Sequence, residues 1–231
     1  MANINDLIGT IQEPTIPELR CVLVSTLHGS TTVNGTSGNL GNSTDTALLL
    51  GLREWSDVVL VGSGTIKAED YGGVQIPQEI QQERFARGQS AIPPIAVISR
   101  SLRFDVESRF FKEAHTSPLI FTDNKDAELQ AALKNAGAKI IELETLSVQG
   151  VVEKLRDAGY ARITCEGGAT LYAQVLDAGL VDVWHQTLDP TISGTVERPI
   201  VKGGSSTPQR LKFDHFYTDA DSTVFLRYVR D

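Results

Sequence analysis

Arg162-Ile163-Thr164-Cys165-Glu166-Gly167-Gly168-Ala169-Thr170-Leu171 decides the fold. Its first four residues form a short, largely apolar run of the kind buried in a sheet, and the glycine pair ends that run in a turn. Ala169 opens a helical stretch that closes at Ala178-Gly179, where glycine supplies the left-handed residue a helix C-terminus favours. Ala136-Gly137 and Ala158-Gly159 close two earlier helical stretches in the same way, and Ile140-Ile141 and Val181-Asp182-Val183-Trp184 read as further strands. Units of about 20 residues that alternate helix and strand predict right-handed crossovers and neighbouring parallel strands.

The upstream half continues the pattern. Cys21-Val22-Leu23-Val24 reads as a strand, followed by a polar, glycine-rich segment from His28 to Gly41. Ser43-Thr44-Asp45 offers an N-cap for a helix whose Leu48, Leu49, Leu52 and Trp55 share one face. Asp57 to Val61 is a strand buried on both faces. Residues 72–93 mix Gly, Gln and Pro around a short helix near Gln78–Arg87, an excursion within one domain, and Ile95–Ile98 and Leu119–Phe121 are two more buried strands. Downstream, Arg210–Tyr217 and Ser222–Val229 alternate apolar and polar residues around Thr218-Asp219-Ala220-Asp221, which predicts an antiparallel hairpin. The expected fold is α/β: a mixed, mostly parallel sheet with an antiparallel C-terminal hairpin and helices on both faces. Residues 1–19 are expected to be an extension ahead of a single domain spanning 20–231.

Composition agrees with a globular chain. The 231 residues are 41% hydrophobic and 22% charged, enough for a core without disulfide or metal staples. A net charge of −8, with basic residues scattered singly, argues against a nucleic-acid partner. Cys21 and Cys165 each sit in an apolar strand, which suits reduced core thiols. Residues 1–20 lack the basic-then-apolar order of a signal peptide, and no run approaches the length of a membrane span. A cytoplasmic protein without a membrane partner is expected.

Several chemistries are missing from the sequence. Gly62-Ser63-Gly64-Thr65-Ile66-Lys67 begins like the dinucleotide fingerprint but carries Lys67 at the third glycine position. No Walker lysine, no zinc-like His/Cys spacing and no nucleophile elbow occurs, so no metal is expected. The Glu166-Gly167-Gly168 turn remains. Its glycines let backbone approach a ligand, the following helix start offers free N–H groups to a diphosphate, and Thr170 adds a hydroxyl. Glu166 sits at the carboxyl end of its strand, where ligands of open α/β sheets bind.

Together the motifs are similar to a known family. Ser25-Thr26-Leu27-His28-Gly29, Ser37-Gly38, Leu52-Arg53, the block Val61-Gly62-Ser63-Gly64-Thr65-Ile66-Lys67-Ala68-Glu69-Asp70-Tyr71, Cys165 to Leu171, Gly179-Leu180-Val181-Asp182 and Leu188-Asp189-Pro190 follow one another in order. This order resembles the reductase domain of the bifunctional riboflavin-biosynthesis deaminase/reductase, from about Arg20 to the end of the chain. The resemblance implies a dihydrofolate-reductase-like, three-layer α/β/α fold, a homodimer, NADPH as hydride donor and 5-amino-6-(5-phosphoribosylamino)uracil as substrate. Hydride delivered to the sugar C1 of the opened imine would leave the ribitylamino product. The family's zinc deaminase half has no counterpart here.

Carried over by position, the resemblance implies cofactor contacts at Thr65, Ser99, Gly167, Gly168, Ala169, Thr170 and Leu171. Arg100 follows Ser99 and is expected to meet a 2′-phosphate. Substrate contacts fall on Ser37, Arg53, Glu69 and Glu166, with Glu69 and Glu166 the candidates for managing a proton. Three departures stand out: His28 where the family has Asp, Tyr71 where it has Pro, and Val74-Gln75-Ile76 where it has a basic residue. Structural roles compete at each site. Glu166 is also a possible helix cap, Gly167-Gly168 a plain turn, Arg53 a cation at a helix C-terminus, and Asp70 a solvated acid. His185, alternating with Val181 and Val183, reads as a satisfied core histidine rather than a catalytic one, while His28, His115 and His215 read as surface or loop residues. Two other functions stay open: reduction of a pterin or related heterocycle, and a catalytically silent dinucleotide-binding dimer.

Overall fold

Among the described residues nine strands form one sheet, in the order β5-β4-β3-β2-β6-β1-β7-β9-β8. The computed structural model describes residues 3–205 and 207–231, so the first two residues of the expected extension lie outside it. The strands are β1 (Glu18–Thr26), β2 (Val58–Gly62), β3 (Ile95–Ile98), β4 (Leu119–Thr122), β5 (Lys139–Glu142), β6 (Arg162–Cys165), β7 (Val183–Asp189), β8 (Lys212–Thr218) and β9 (Val224–Val229). All pairings from β5 through to β7 are parallel, whereas β9 runs antiparallel to β7 and β8 antiparallel to β9. This is the mixed sheet with a C-terminal hairpin that the sequence predicts.

The helices are α1 (Ile4–Ile8), α2 (Ser43–Trp55), α3 (Ser63–Ala68), α4 (Gln78–Ala86), α5 (Arg109–Lys112), α6 (Ala127–Asn135), α7 (Val148–Asp157) and α8 (Ala169–Asp177). Strand β2 explains the layering. Val58 and Leu60 enter one core with Val151, Val152 and Leu155 of α7 and Val175 of α8, while Val59 and Val61 enter the other with Phe110, Phe111 and Leu133. A strand covered on both faces reads as a continuous apolar run, which is why Asp57–Val61 was legible. Cys21 and Cys165 are free and buried. Gly137, Gly159 and Gly179 all take positive φ just past their helices, as expected.

One helix start needs correction. The N-cap of α2 is Asn42, whose side chain accepts from the N–H groups of Thr44 and Asp45; Ser43-Thr44-Asp45 already belongs to the first turn. Asn42, like Ser43, is a strong capping residue, and the amide one step earlier reaches the second and third N–H groups. Within the segment ahead of β1, Leu7 and Ile8 of α1 are buried against Leu48 and Leu52 of α2.

Arg84 of α4 fixes the far end of α2. It is fully buried, and its Nη1 donates to the carbonyls of Glu54 (2.6 Å) and Ser56 (2.9 Å) at the helix C-terminus. Its Nε donates to Ser90 O at 3.0 Å. Burial pulls its pKa down to about 10. Thr164 Oγ1 of β6 donates to Leu52 O at 3.1 Å, so the last turn of α2 is tied to the strand that ends at the glycine turn.

Candidate active site

Two cavities open at the carboxyl ends of the central strands, the usual place for ligands of an open α/β sheet. The first, about 360 Å³, is walled by Val22 to Val24 of β1, Asp45, Leu49 and Arg53 of α2, and Glu69, Tyr71 and Glu166. The second, about 640 Å³, runs past Gly62 to Thr65, Arg100 and Ser101, and the start of α8 from Gly168 to Leu171. Thr65, Gly168, Ala169 and Arg198 line both, so the cavities form one cleft with two chambers.

Glu166 lines the first chamber, two residues before the shared Gly168. Its N–H donates to Leu60 O at 3.0 Å, which prolongs β6 along β2 and carries the side chain past the strand end. The carboxylate receives two parallel bonds from Arg53, Nε to Oε1 and Nη2 to Oε2, both 2.7 Å. Tyr71 Oη also donates to Oε2 and accepts from Arg53 Nη2 at 2.8 Å. Burial alone would lower the Arg53 pKa, but the Glu166 charge and its hydrogen bonds outweigh it and hold the guanidinium above its ordinary value. A capping role for Glu166 does not survive: α8 has Gly168 as its N-cap and no side-chain cap.

The turn after α3 aims Glu69 and Tyr71 into the first chamber. Glu69 is the C-cap and Asp70 takes φ +43°, a left-handed conformation that Asp tolerates better than most residues. Glu69 Oε2 accepts from Ser37 Oγ at 2.8 Å and Thr36 Oγ1 at 3.3 Å. Asp70 points outward, three-quarters exposed, and pairs with Arg109 at 3.5 Å. Ser37, Arg53, Glu69 and Glu166 are therefore gathered on one chamber, as expected. Tyr71, noticed only as a departure, completes the Glu166 clamp. Asp45 joins them on the wall, with burial raising its carboxyl pKa and the nearby Asp189 charge adding to the rise.

The second chamber fits a phosphate-bearing dinucleotide by its backbone. A Cβ on Gly168 would lie 2.8 Å from Thr65 Oγ1, whereas one on Gly62 would make only ordinary contact with Gly167 O and Gly168 N at 3.4 and 3.5 Å. Gly167 has φ +78°, its Cβ position is already occupied by the Tyr172 ring, and the Gly167–Gly168 peptide is cis. The open first turn of α8 leaves N–H groups available to an anion. Arg100 and Lys202 line the same chamber. Thr65 and Gly168 to Leu171 come together there as the sequence suggested, whereas Gly167 lines neither chamber. Ser99 is set apart: it is buried, and its Oγ accepts from the N–H of Leu102 at 3.1 Å.

The remaining candidates serve the scaffold. His28 Nε2 lies 2.8 Å from Thr195 O and 3.1 Å from Ser193 Oγ, bonding the loop after β7. His185 is a core histidine as read but not a satisfied one: it is buried, and among the described residues its Nε2 has no hydrogen-bond partner. Val74 and Ile76 pack in the core, and Gln75 bonds only locally, to Gly73 O. Among the described residues no group of His, Cys, Asp or Glu is arranged to hold a metal, and no helix is long and apolar enough to cross a membrane.

Comparison with known proteins follows the same lines. The family model described as "RibD C-terminal domain" matches residues 17–225. The 2,5-diamino-6-ribosylamino-4(3H)-pyrimidinone 5′-phosphate reductase of Archaeoglobus fulgidus is 25% identical over 164 residues, 71% of this chain and 75% of that protein. The crystal structure of a pyrimidine reductase-like protein from Corynebacterium diphtheriae superposes with a TM-score of 0.88 at 30% identity, covering 99% of both chains. RibD of Acinetobacter baumannii shares the fold, with a TM-score of 0.75 at 21% identity over 94% of this chain and 58% of that one.

Proposed function

This chain belongs to the RibD C-terminal domain family, and on that premise we propose that it is a pyrimidine reductase of riboflavin biosynthesis. Its substrate is a 5-amino-6-ribosylaminopyrimidine 5′-phosphate, with 5-amino-6-(5-phosphoribosylamino)uracil the form the sequence resemblance implies. The product is the open-chain ribitylamino compound. The observation that carries the reading is the Arg53-clamped Glu166 on the wall of a small chamber that shares Thr65, Gly168, Ala169 and Arg198 with a glycine-lined groove.

A reduced nicotinamide dinucleotide, NADPH in this proposal, supplies the hydride when bound along the groove. Gly168 to Leu171 and Thr65 hold its phosphates through backbone N–H groups and hydroxyls, and Arg100 receives the 2′-phosphate. In the other chamber Glu166, held in one orientation by Arg53 and Tyr71, accepts ring N–H bonds from the pyrimidine. Glu69, oriented by Ser37, is the second carboxylate on that wall and manages the proton that accompanies sugar opening. Tyr172, whose hydroxyl donates to Val22 O at 2.5 Å, closes the floor against water.

The test is loss of reduced-nicotinamide absorbance with 5-amino-6-(5-phosphoribosylamino)uracil, its 2-amino analogue and a dihydropterin as separate substrates, with product mass checked. Turnover of either ribosylaminopyrimidine supports the proposal. Turnover of the pterin alone replaces it, and dinucleotide binding without any turnover identifies a silent binding protein.

A further inference from the structure

We propose that Arg198 is the residue that receives the 5′-phosphate of the substrate; this rests on the reading of the first chamber as the site of a ribosylaminopyrimidine phosphate. A phosphate entering that chamber needs a cation. Arg53 is committed to Glu166 through both of its carboxylate bonds. The positions after Asp70 offer none, because Val74 and Ile76 are core residues and Gln75 is neutral. Against these, Asp45, Glu69 and Glu166 place negative charge on the wall. Arg198 is the other cation lining the chamber, and among the described residues its side chain makes no hydrogen bond or ion pair.

The backbone that presents Arg198 is held on both sides. Its carbonyl accepts from Thr31 N at 2.8 Å, and Ser30 Oγ accepts from the N–H groups of Glu197 at 3.0 Å and Arg198 at 3.4 Å. The neighbouring Glu197 carboxylate accepts from the N–H groups of Asn34 and Gly35, both at 2.9 Å, and from Thr32 Oγ1 at 3.1 Å. The loop after β7 is thus pinned to the segment after β1, while the guanidinium stays exposed at the mouth shared by both chambers. A fixed backbone spares the ordering cost of the loop and leaves only that of the side chain, while the uncommitted planar fork matches a phosphate. Arg100 and Lys202 serve the groove separately, which leaves Arg198 for the substrate side.

The experiment compares wild type, Arg198→Gln, Arg198→Lys and Arg100→Gln. Ribose 5-phosphate and ribose are titrated against each protein with NADP+ present, and KM is measured for the ribosylaminopyrimidine with and without its phosphate. Wild type is expected to prefer the phosphorylated ligand, and Arg198→Gln to lose about tenfold to a hundredfold of that preference. Arg198→Lys should restore part of it, and Arg100→Gln should leave it intact. In the Arg198 variants the affinity for the unphosphorylated ligand should change by less than about threefold, so that the loss reads as KM for the phosphorylated substrate rather than as kcat. Equal binding of ribose 5-phosphate and ribose by wild type, or an unchanged preference in Arg198→Gln, overturns the proposal. So does a loss in dinucleotide affinity alone, which would assign Arg198 to the cofactor. Failure of the reductase reading looks different: no pyrimidine is reduced by any variant, while the ribose phosphate titration still reports on Arg198.

Discussion

Arg53 and Glu166 lie 113 residues apart in sequence and meet in a two-bond, nearly buried ion pair that joins the end of α2 to the end of β6. Each partner satisfies a charge the other would leave stranded. Removing one member of such a pair is much costlier than the net value of the pair, because the survivor stays buried and uncompensated. The pair also orients one carboxylate toward the chamber while the glycine turn beside it faces the groove.

Glu166→Gln should therefore lose turnover while NADPH affinity stays within about threefold, since the groove's backbone N–H groups survive the change. An amide offers one acceptor and one misplaced donor where a carboxylate offered two acceptors. A mispaired buried polar group costs about 1–3 kcal/mol, roughly tenfold to over a hundredfold if felt in the transition state. Steady-state kinetics with a parallel melting curve check it. Retention of more than about a third of wild-type kcat/KM makes Glu166 a structural residue.

Arg84→Met should destabilise the chain by about 3 kcal/mol, a fall of roughly 6–12 °C in Tm at this size, because the α2 carbonyls lose their buried donor. Since the last turn of α2 carries Arg53, kcat should fall as well, with dinucleotide affinity little changed. A folded variant with wild-type kcat would show that α2 holds Arg53 without help from Arg84.

NADPH should bind at least about tenfold more tightly than NADH, and Arg100→Gln should remove most of that difference without weakening NADH. Arg100 lines the groove and, among the described residues, its side chain makes one long hydrogen bond, Nη2 to Leu146 O at 3.4 Å, so it is available to a 2′-phosphate. Fluorescence titration of both dinucleotides decides. Equal affinities in wild type would sink the assignment.

His185 should make stability fall on acidification. Burial first, then the charges of Arg20 on β1 and Arg227 on β9, hold its pKa well below 6.5. In the window between that depressed value and 6.5 the unfolded chain binds a proton that the native state refuses, so stability is lost as pH drops. The slope from this one group is at most about 1.4 kcal/mol per pH unit. Urea midpoints from pH 7.5 to 5 should show a steeper fall for wild type than for His185→Leu; parallel curves would exclude the histidine as the source.

A homodimer remains our expectation for the C-terminal hairpin. Strand β8 is the sheet edge, and its Phe213 and Phe216 are 51% and 61% exposed. An apolar edge of this kind favours pairing with a second copy. Light scattering at micromolar concentration should give twice the chain mass, and Phe216→Asp should shift it toward monomer. A monomeric wild type would refute the expectation.

The alternation of helix and strand was legible because sequence-local signals carried it. Glycines past helix ends, continuous apolar runs and the alternating hairpin each act within a few residues. The glycine turn was legible for the same reason, since its conformational requirement is written in its own residues. The α2 cap was misplaced by one step because Asn42 and Ser43 are both strong capping residues, and only backbone geometry chooses between them.

Local chemistry determined that this chain builds a mixed α/β sheet and brings a glycine turn to the carboxyl end of β6. Tertiary structure decided what faces that turn. Arg53 was grouped with Glu166 only through the family resemblance, and Tyr71 as an isolated departure and Arg198 as a loop residue share no pattern with either in the sequence. They converge because parallel crossovers bring the ends of α2, α3 and β6 to one side of the sheet, while side-chain and backbone bonds from residues 28–36 pin the loop after β7 over it. Ion pairing and phosphate recognition depend on distance in space, and hydrogen bonds between distant segments set that distance.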